Sequence, residues 1–355
     1  MSSDIMSFPA FPFARPAGDT PSCEYARLRD EAPVSRVTLW DGSNPWLITR
    51  HEMVQKVLAV GDGSGRWSKD RRQPGFPEFG AAAKASAMTK PTFVYLDEPE
   101  RTRDRQIIDR IFAKENIDKI RPRLVEHIVE SLLCDLQEQI NEKPVDFYRI
   151  FAMRVPTFVI FSLLGAPSAD LDDLTEWNLT QLNGSSTPTE VSSANKKLLG
   201  YVSQLLEQKI ESPGNDLVSE LVISEGLIIL EQHPDQKADL IQDPCLASAF
   251  VEELCRFHTS SATANPRVAV ENLYLDGQMI RAGEAILLSL QSANRDETVF
   301  PEPDIFNMHR KRGSQESLAF GFGPRRCPVE WLAREQLETV FSVSAVLVWI
   351  SMNMN

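Results

Sequence analysis

The sequence predicts a mainly α single domain over residues 1–355 with a minor β portion. Three observations carry this: apolar residues recur at helical spacing through most of 99–212, β-rich runs are short and bounded by turn residues, and no repeat or low-complexity tract interrupts the chain. A chain of 355 residues is long enough to bury a large core and a cofactor within it.

The elements follow in order. Pro9, Pro12 and Pro16 make residues 1–20 an extended arm. "VSRVTLW" and "PWLIT" flank "DGSN", a hairpin pattern, and a helix starts near His51. Residues 61–90, rich in Gly, Pro and basic residues, are too long for an ordinary connection and read as a lid or binding loop. In 121–140, Leu124, Val125, Ile128, Leu132, Leu133, Leu136 and Ile140 form one apolar stripe, the core face of a helix. Residues 250–258 predict another helix, "AILLSLQSANRD" contains a buried strand, and 329–343 predicts the last helix.

Composition narrows the function. A formal charge of −13 disfavours non-specific binding to nucleic acid or an acidic membrane. No apolar run approaches the roughly 20 residues that cross a bilayer, and the opening lacks a signal pattern. Five scattered cysteines without a CxxC pair argue against a disulfide framework or a cysteine-rich zinc site. The expectation is a reduced, cytoplasmic or alternatively mitochondrial protein, with neither nucleic acid nor membrane as partner.

The chemistry concentrates in "SLAFGFGPRRCPVEWLAREQLETVF", residues 317–341. A thiolate is the form of cysteine that attacks or binds metal, and neighbouring cations or a helix start stabilise it; Cys327 follows Arg325 and Arg326 and precedes the last helix. Gly321 and Gly323 let backbone approach a flat partner. A phosphatase loop would need Arg at 333, where Ala stands, and a dinucleotide GxGxxG would need Gly at 326, where Arg stands.

The run Phe320-Gly321-x-Gly323-x-Arg325-x-Cys327 resembles the haem-binding loop of the cytochrome P450 haem-thiolate family, in which the cysteine is the axial iron ligand. "EELCR" resembles that family's Glu-x-x-Arg pair in Glu253 and Arg256, and "NRDETVFPEPDIFNMHR" its meander, with Arg310 joining the pair. "YLDEPERTRDR" places Arg101 and Arg105 where the family holds the haem propionates, Arg267 in "NPRVAVENLYLDG" matches a third, and Arg325 stands where His is usual. The resemblance implies a P450-like fold and haem b.

Stretches such as "LWDGSNPWLITRHEMV", "QPGFPEFGAAAKASAMTKPTFVYLDEPE" and "NGSSTPTEVSSAN" are similar to the fungal nitric oxide reductases of this family. This implies reduction of NO to nitrous oxide with electrons taken directly from NADH or NADPH, a monomer without a separate reductase, and a cationic dinucleotide entrance at Lys69, Arg71 and Arg72. The alternatives are a P450 monooxygenase, or a truncated or mis-spliced product that binds haem without turnover.

Three departures bear on activity. Between the helix ending near Ser212 and the Glu-x-x-Arg helix, the family's long distal helix has no counterpart, and no Thr occurs from Val191 to His258. No catalytic residue of a distal relay is therefore assigned. The stretch after Phe341 is shorter than the family's C-terminal strands, so the fold is expected to be incomplete. Pro328 lacks an N–H that could donate to the Cys327 sulfur, and Val329 replaces a small residue.

Overall fold

The computed structural model describes residues 8–16, 20–60, 66–80, 84, 93–140, 145–182, 186–210, 230, 232–259, 265–311 and 316–343. In chain order these form α1 (Cys23–Glu31), β1 (Val34–Arg36), β2 (Trp46–Ile48), α2 (His51–Ala59), β3 (Trp67–Ser68), α3 (Glu100–Ile111), α4 (Lys114–Ile120), α5 (Glu126–Ile140), α6 (Arg154–Leu164), α7 (Leu171–Leu182), α8 (Pro188–Ile210), α9 (Pro234–Gln242), α10 (Ala247–Phe257), β4 (Asn265–Ala269), β5 (Leu273–Leu275), β6 (Gln278–Ile280), β7 (Ala285–Leu288), α11 (Leu290–Ala293) and α12 (Glu330–Ser342). Helix dominates and strands are short, as expected.

Two compact units result. The first comprises 1–107, 252–306 and 310–327, the second 108–251, 307–309 and 328–355. In the first, a mixed sheet has the order β1-β2-β7-β4-β3. The expected hairpin forms, with Val34 opposite Ile48, and β7 runs parallel to β2 with Ile286 opposite Trp46. Alternation along the pleat sends successive side chains to opposite faces. Trp46, Ile48, Ile286 and Leu288 enter one core with Val54, Val57 and Leu58 of α2, while Leu47 and Leu287 enter another with Phe11, Tyr25 and Leu28. The first of these cores also takes Leu318, fully buried, and Phe322, so two side chains of the cysteine loop are packed against α2 and the sheet. Within the expected arm, Phe11 N–H donates to the Thr38 carbonyl at 2.8 Å. Residues 61–65, 81–83 and 85–90 of the expected binding loop lie outside the described residues; its described part contains β3.

In the second unit the stripe of 121–140 is buried at Val125, Ile128, Leu132, Leu133 and Leu136, with Leu124 partly exposed and the Ile140 side chain outside the description. Residues 121–125 take a π-turn that leads into α5. Ile160 and Phe161 of α6 pack with Leu171 and Leu174 of α7. Phe250 meets Phe341 of α12 edge to face, with centroids 4.9 Å apart. Among the described residues no helix is long and apolar enough to cross a membrane.

Candidate functional site

The cysteine loop is fixed by its own backbone. Gly321 N–H donates to the Leu318 carbonyl at 2.9 Å, Arg326 N–H to Gly323 at 3.0 Å, and Cys327 N–H to the Phe320 carbonyl at 2.8 Å. Two of these bonds turn on glycines in the left-handed region, Gly321 at φ 77° and Gly323 at φ 66°. Gly323 is also pressed against α2: a Cβ there would lie 2.7 Å from the Leu58 carbonyl oxygen. The sequence explains this folding, because only glycine combines that φ with that approach.

Two of the expected arginines converge on this loop and a third reaches out from it. Arg101 and Arg105, one turn apart on α3, donate to the carbonyls of Pro324 at 3.0 Å and Arg326 at 2.5 Å. Arg101 is buried and also bonds Glu98. Arg325 reaches the carbonyls of Val94 at 3.0 Å and Leu96 at 2.6 Å, and Asp97 at 3.3 Å. Arg267, 2% exposed, stands on β4 opposite Ile286 and donates to the Pro266 carbonyl at 3.0 Å. Phe320 is half-buried and contributes the carbonyl that holds Cys327.

The expected triad assembles. Arg256 meets Glu253 in a two-point contact, Nη2 to Oε1 at 2.7 Å and Nε to Oε2 at 2.9 Å, and Arg310 Nε reaches the same two oxygens at 3.1 and 3.2 Å. Glu253 and Arg256 are 5% and 2% exposed, which separates them from an ordinary pair on a solvated helix face. Arg256 Nη1 bonds the carbonyls of Asn294 at 2.8 Å and Pro303 at 3.0 Å, and Arg310 Nη2 bonds those of Glu302 and Ile305. One carboxylate serves both guanidinium groups, and backbone carbonyls take up further donors, as burial of polar groups requires.

The cations expected at a dinucleotide entrance each have a close neighbour. Lys69, Arg71 and Arg72 are close in the chain but do not present an open basic patch. Lys69 is buried, its ammonium 5.7 Å from the Tyr95 ring centroid. Arg71 lies 5.0 Å from the same ring and pairs with Glu78 at 2.5 Å. Arg72 is the exposed one of the three, and it pairs with Asp70 at 2.7 Å. The physical reason is local: "KDRRQPGFPE" carries its own carboxylates, and each nearby guanidinium is met by one.

Two residues escaped the sequence reading. Asp97 accepts Lys69 N–H at 2.9 Å and the Ser68 hydroxyl, and also meets Arg325, so it joins the 66–80 segment to the cysteine loop. Asn294 joins Arg256 to Leu318. Both sit inside motifs quoted above, "YLDEPE" and "NRDETVF", where neighbouring residues carried the pattern. Their only signal is a short polar side chain where an apolar run gives way to a charged one.

A half-buried thiol at the end of a glycine loop, with three arginines bound to that loop or its flank, fits iron-porphyrin chemistry. The sulfur is a donor for iron, and guanidinium groups suit buried carboxylates such as propionates.

Comparison with known proteins agrees. The sequence model of the family described as Cytochrome P450 matches residues 221–343. Cytochrome P450 55A3 of Fusarium lichenicola is 42% identical, over 95% of this chain and 90% of its own length. Cytochrome P450-SU2 of Streptomyces griseolus is 34% identical, over 91% and 86%. Cytochrome P450 MoxA of Nonomuraea recticatena superimposes with a TM-score of 0.85 at 29% identity, covering 94% of this chain and 89% of that one; GfsF gives 0.84 at 28%, covering 94% and 91%. Coverage of about nine-tenths of these proteins does not support a fold that lacks a large part. Of 212–250, where the distal helix is expected to be missing, residues 212–229 and 231 lie outside the described residues and the described part carries α9 (Pro234–Gln242); after Phe341, residues 344–355 also lie outside them. With a relative this similar over nearly its whole length, the chain belongs to the cytochrome P450 family, whose members are haem oxidoreductases.

Proposed function

We propose that this cytochrome P450 reduces nitric oxide to nitrous oxide with electrons taken directly from NADH or NADPH, without a separate reductase. The observation that carries the reading is the 42% identity to Cytochrome P450 55A3 of Fusarium lichenicola, against 34% to P450-SU2 of Streptomyces griseolus, on a chain whose quoted stretches resemble the fungal nitric oxide reductases.

Haem held by a thiolate supplies the redox centre. The chain's residues do the rest. Cys327 provides the sulfur, and Arg101, Arg105, Arg267 and Arg325 hold the propionates. The 320–327 backbone bonds keep Cys327 in place, and Glu253, Arg256 and Arg310 fix the body behind it. The dinucleotide is received at the 66–80 segment, where Arg72 offers a cation at the surface and Lys69 and Arg71 brace Tyr95. Asp97 ties that segment to the cysteine loop, so donor and thiolate share one support. The protein acts in the cytoplasm or mitochondrion as a monomer.

A shortened interior belongs to the same reading. The reading is supported by the length of the match to Cytochrome P450 55A3, 370 positions against the 355 residues of this chain. The sequence places the shortening between 212 and 250, and the expected consequence is weak haem retention and slow turnover.

The test is anaerobic turnover of purified holoprotein with NO and NAD(P)H alone. One NAD(P)H and one proton should disappear for every two NO consumed, giving one N2O and one water. Cys327→Ala should remove both this activity and the red-shifted Soret band of the reduced CO complex. If NAD(P)H is inert without a reductase, while an added electron-transfer chain supports oxygen insertion into an organic substrate, the protein is a monooxygenase and the proposal fails.

A further inference from the structure

The cysteine loop is held from within by its own backbone bonds, and at its upstream end by side chains that meet its backbone, His51 at the Glu316 carbonyl at 2.9 Å and Asn294 at Leu318. Leu318 N–H donates to Asn294 Oδ1 at 2.7 Å. The Asn294 amide nitrogen donates to Thr259 Oγ1 at 2.7 Å, and Thr259 Oγ1 in turn donates to the Arg256 carbonyl at 3.1 Å. The Asn294 carbonyl accepts from Arg256 Nη1 at 2.8 Å, and its N–H donates to the Leu290 carbonyl at 2.9 Å. The residue is fully buried, and each of these groups has a partner.

Its backbone is fixed independently. Asn294 ends α11, whose start is capped by Ser289 immediately after the buried strand β7. From Asn294 the bonds run forward in steps: Leu318 N–H to its side chain, Gly321 N–H to the Leu318 carbonyl, and Cys327 N–H to the Phe320 carbonyl. Backward they run to Arg256 and so to Glu253 and Arg310.

We infer that Asn294 is a positioning residue for Cys327: its carboxamide links the Glu253–Arg256–Arg310 cluster to the 318–327 loop and thereby sets where the sulfur stands. The inference rests on the reading of Cys327 as axial ligand. The chemistry selects asparagine. Leu318 needs an acceptor and Thr259 Oγ1, already donating to Arg256, needs a donor; a carboxamide supplies both from one short side chain. Aspartate keeps the acceptor and loses the donor, leucine keeps neither, and serine falls short of spanning the two.

The experiment compares Asn294→Asp and Asn294→Leu with Val54→Ala, which removes buried volume from the same apolar core without touching this chain of bonds. Amide hydrogen exchange of the full chain without haem reads the loop directly. In Asn294→Leu the Leu318, Gly321 and Cys327 amides should exchange roughly tenfold faster, the factor a lost hydrogen bond gives, while 286–288 of β7 stay protected. In the reduced CO complex, Asn294→Leu should lose most of the red-shifted band at equal haem content, Asn294→Asp part of it, and Val54→Ala none even where it lowers the melting temperature as far. Should Asn294→Leu fail to fold, the near-isosteric Asn294→Asp carries the same test. Loop protection and band fraction no more affected by Asn294 changes than by Val54→Ala would overturn the inference. A wild-type protein without the red-shifted band would sink the axial reading, and with it the sulfur's placement, while exchange would still decide whether Asn294 holds the loop.

Discussion

The Glu253–Arg256–Arg310 cluster and the Lys69–Glu78 segment belong to the same unit and are built from the same charged groups, yet they are opposite kinds of site. In the cluster the Glu253 and Arg256 side chains are 5% and 2% exposed, and backbone carbonyls take up the remaining guanidinium protons. In the segment Arg72 and Asp70 pair at 55% and 16% exposure, beside a second and largely covered pair, Arg71 and Glu78, at 15% and 10%. Buried charges cannot exchange their partners for water, so the cluster fixes the fold. Exposed pairs exchange with water and with anions at little cost, so the segment is the place where a charged ligand can compete.

The largest effect that would break this contrast is at Glu253. Glu253→Gln removes the carboxylate that holds Arg256 and Arg310 together, leaving the buried Arg256 and the partly buried Arg310 facing a neutral amide. Removing one partner of a buried pair typically costs about 3–5 kcal/mol, a large part of a total stability of about 5–15 kcal/mol. Urea unfolding should show a loss of that size, or no folded protein at all. A loss below about 1 kcal/mol would put the cluster in the same class as the surface pairs.

A smaller effect tests the loop between the two regions. Gly323→Ala meets two obstacles, a φ of 66° and a Cβ 2.7 Å from the Leu58 carbonyl, which is backbone and does not swing away. Gly321→Ala meets only the first, since its nearest neighbour would be 3.7 Å off. Left-handed backbone costs an ordinary residue about 1–2 kcal/mol, so Gly321→Ala should lose about that much and Gly323→Ala clearly more. Equal losses would mean that α2 gives way at Leu58 and is not a rigid backing for the loop.

How much of this was legible depended on spacing. The loop 320–327, the pair Glu253 and Arg256 and the stripe of α5 are patterns fixed by local geometry, a turn or a helix face, and sequence carries such geometry directly. Arg101 and Arg105 were legible only through the resemblance of "YLDEPERTRDR" to the family segment that holds the propionates. What was not legible is who meets whom across the fold. Arg71 reads as a free cation until Glu78 is seen beside it, and Asn294 reads as a loop residue until Thr259 and Leu318 arrive from 35 residues before and 24 after. Neither the mixed order of the sheet nor the parallel pairing of β2 with β7 leaves a periodic trace, because both are set by closure of long loops.

The smallest effect sharpens the comparison from the surface side. Asp70 accepts Arg72 Nε at 2.9 Å and Nη2 at 2.7 Å, and also the Arg72 N–H at 2.9 Å. The Arg72 side-chain hydrogen bonds, ahead of the backbone bond and the guanidinium charge, hold its carboxyl below the usual carboxylate range. A depressed folded value means that the pair stabilises the fold above the ordinary Asp pKa of about 3.9 and that this help is lost as pH falls through the folded value. At neutral pH the pair is intact, and since the Arg72 guanidinium is largely exposed, solvent screens most of its worth. Asp70→Asn should therefore leave the melting temperature at pH 7 almost unchanged and flatten only the acid end of the stability profile. Its effect on ligand should be larger than its effect on fold. With the carboxylate gone, Arg72 keeps its charge and loses its competitor, so on the proposed function the Kd for NAD(P)H should fall at low ionic strength. At 1 M salt, where screening reaches about 3 Å, the variant and the parent should bind alike. Arg72→Ala should move the low-salt affinity the other way. If both variants bind the dinucleotide as the parent does at every salt concentration, the segment's exposed pair is surface decoration, and the donor enters elsewhere.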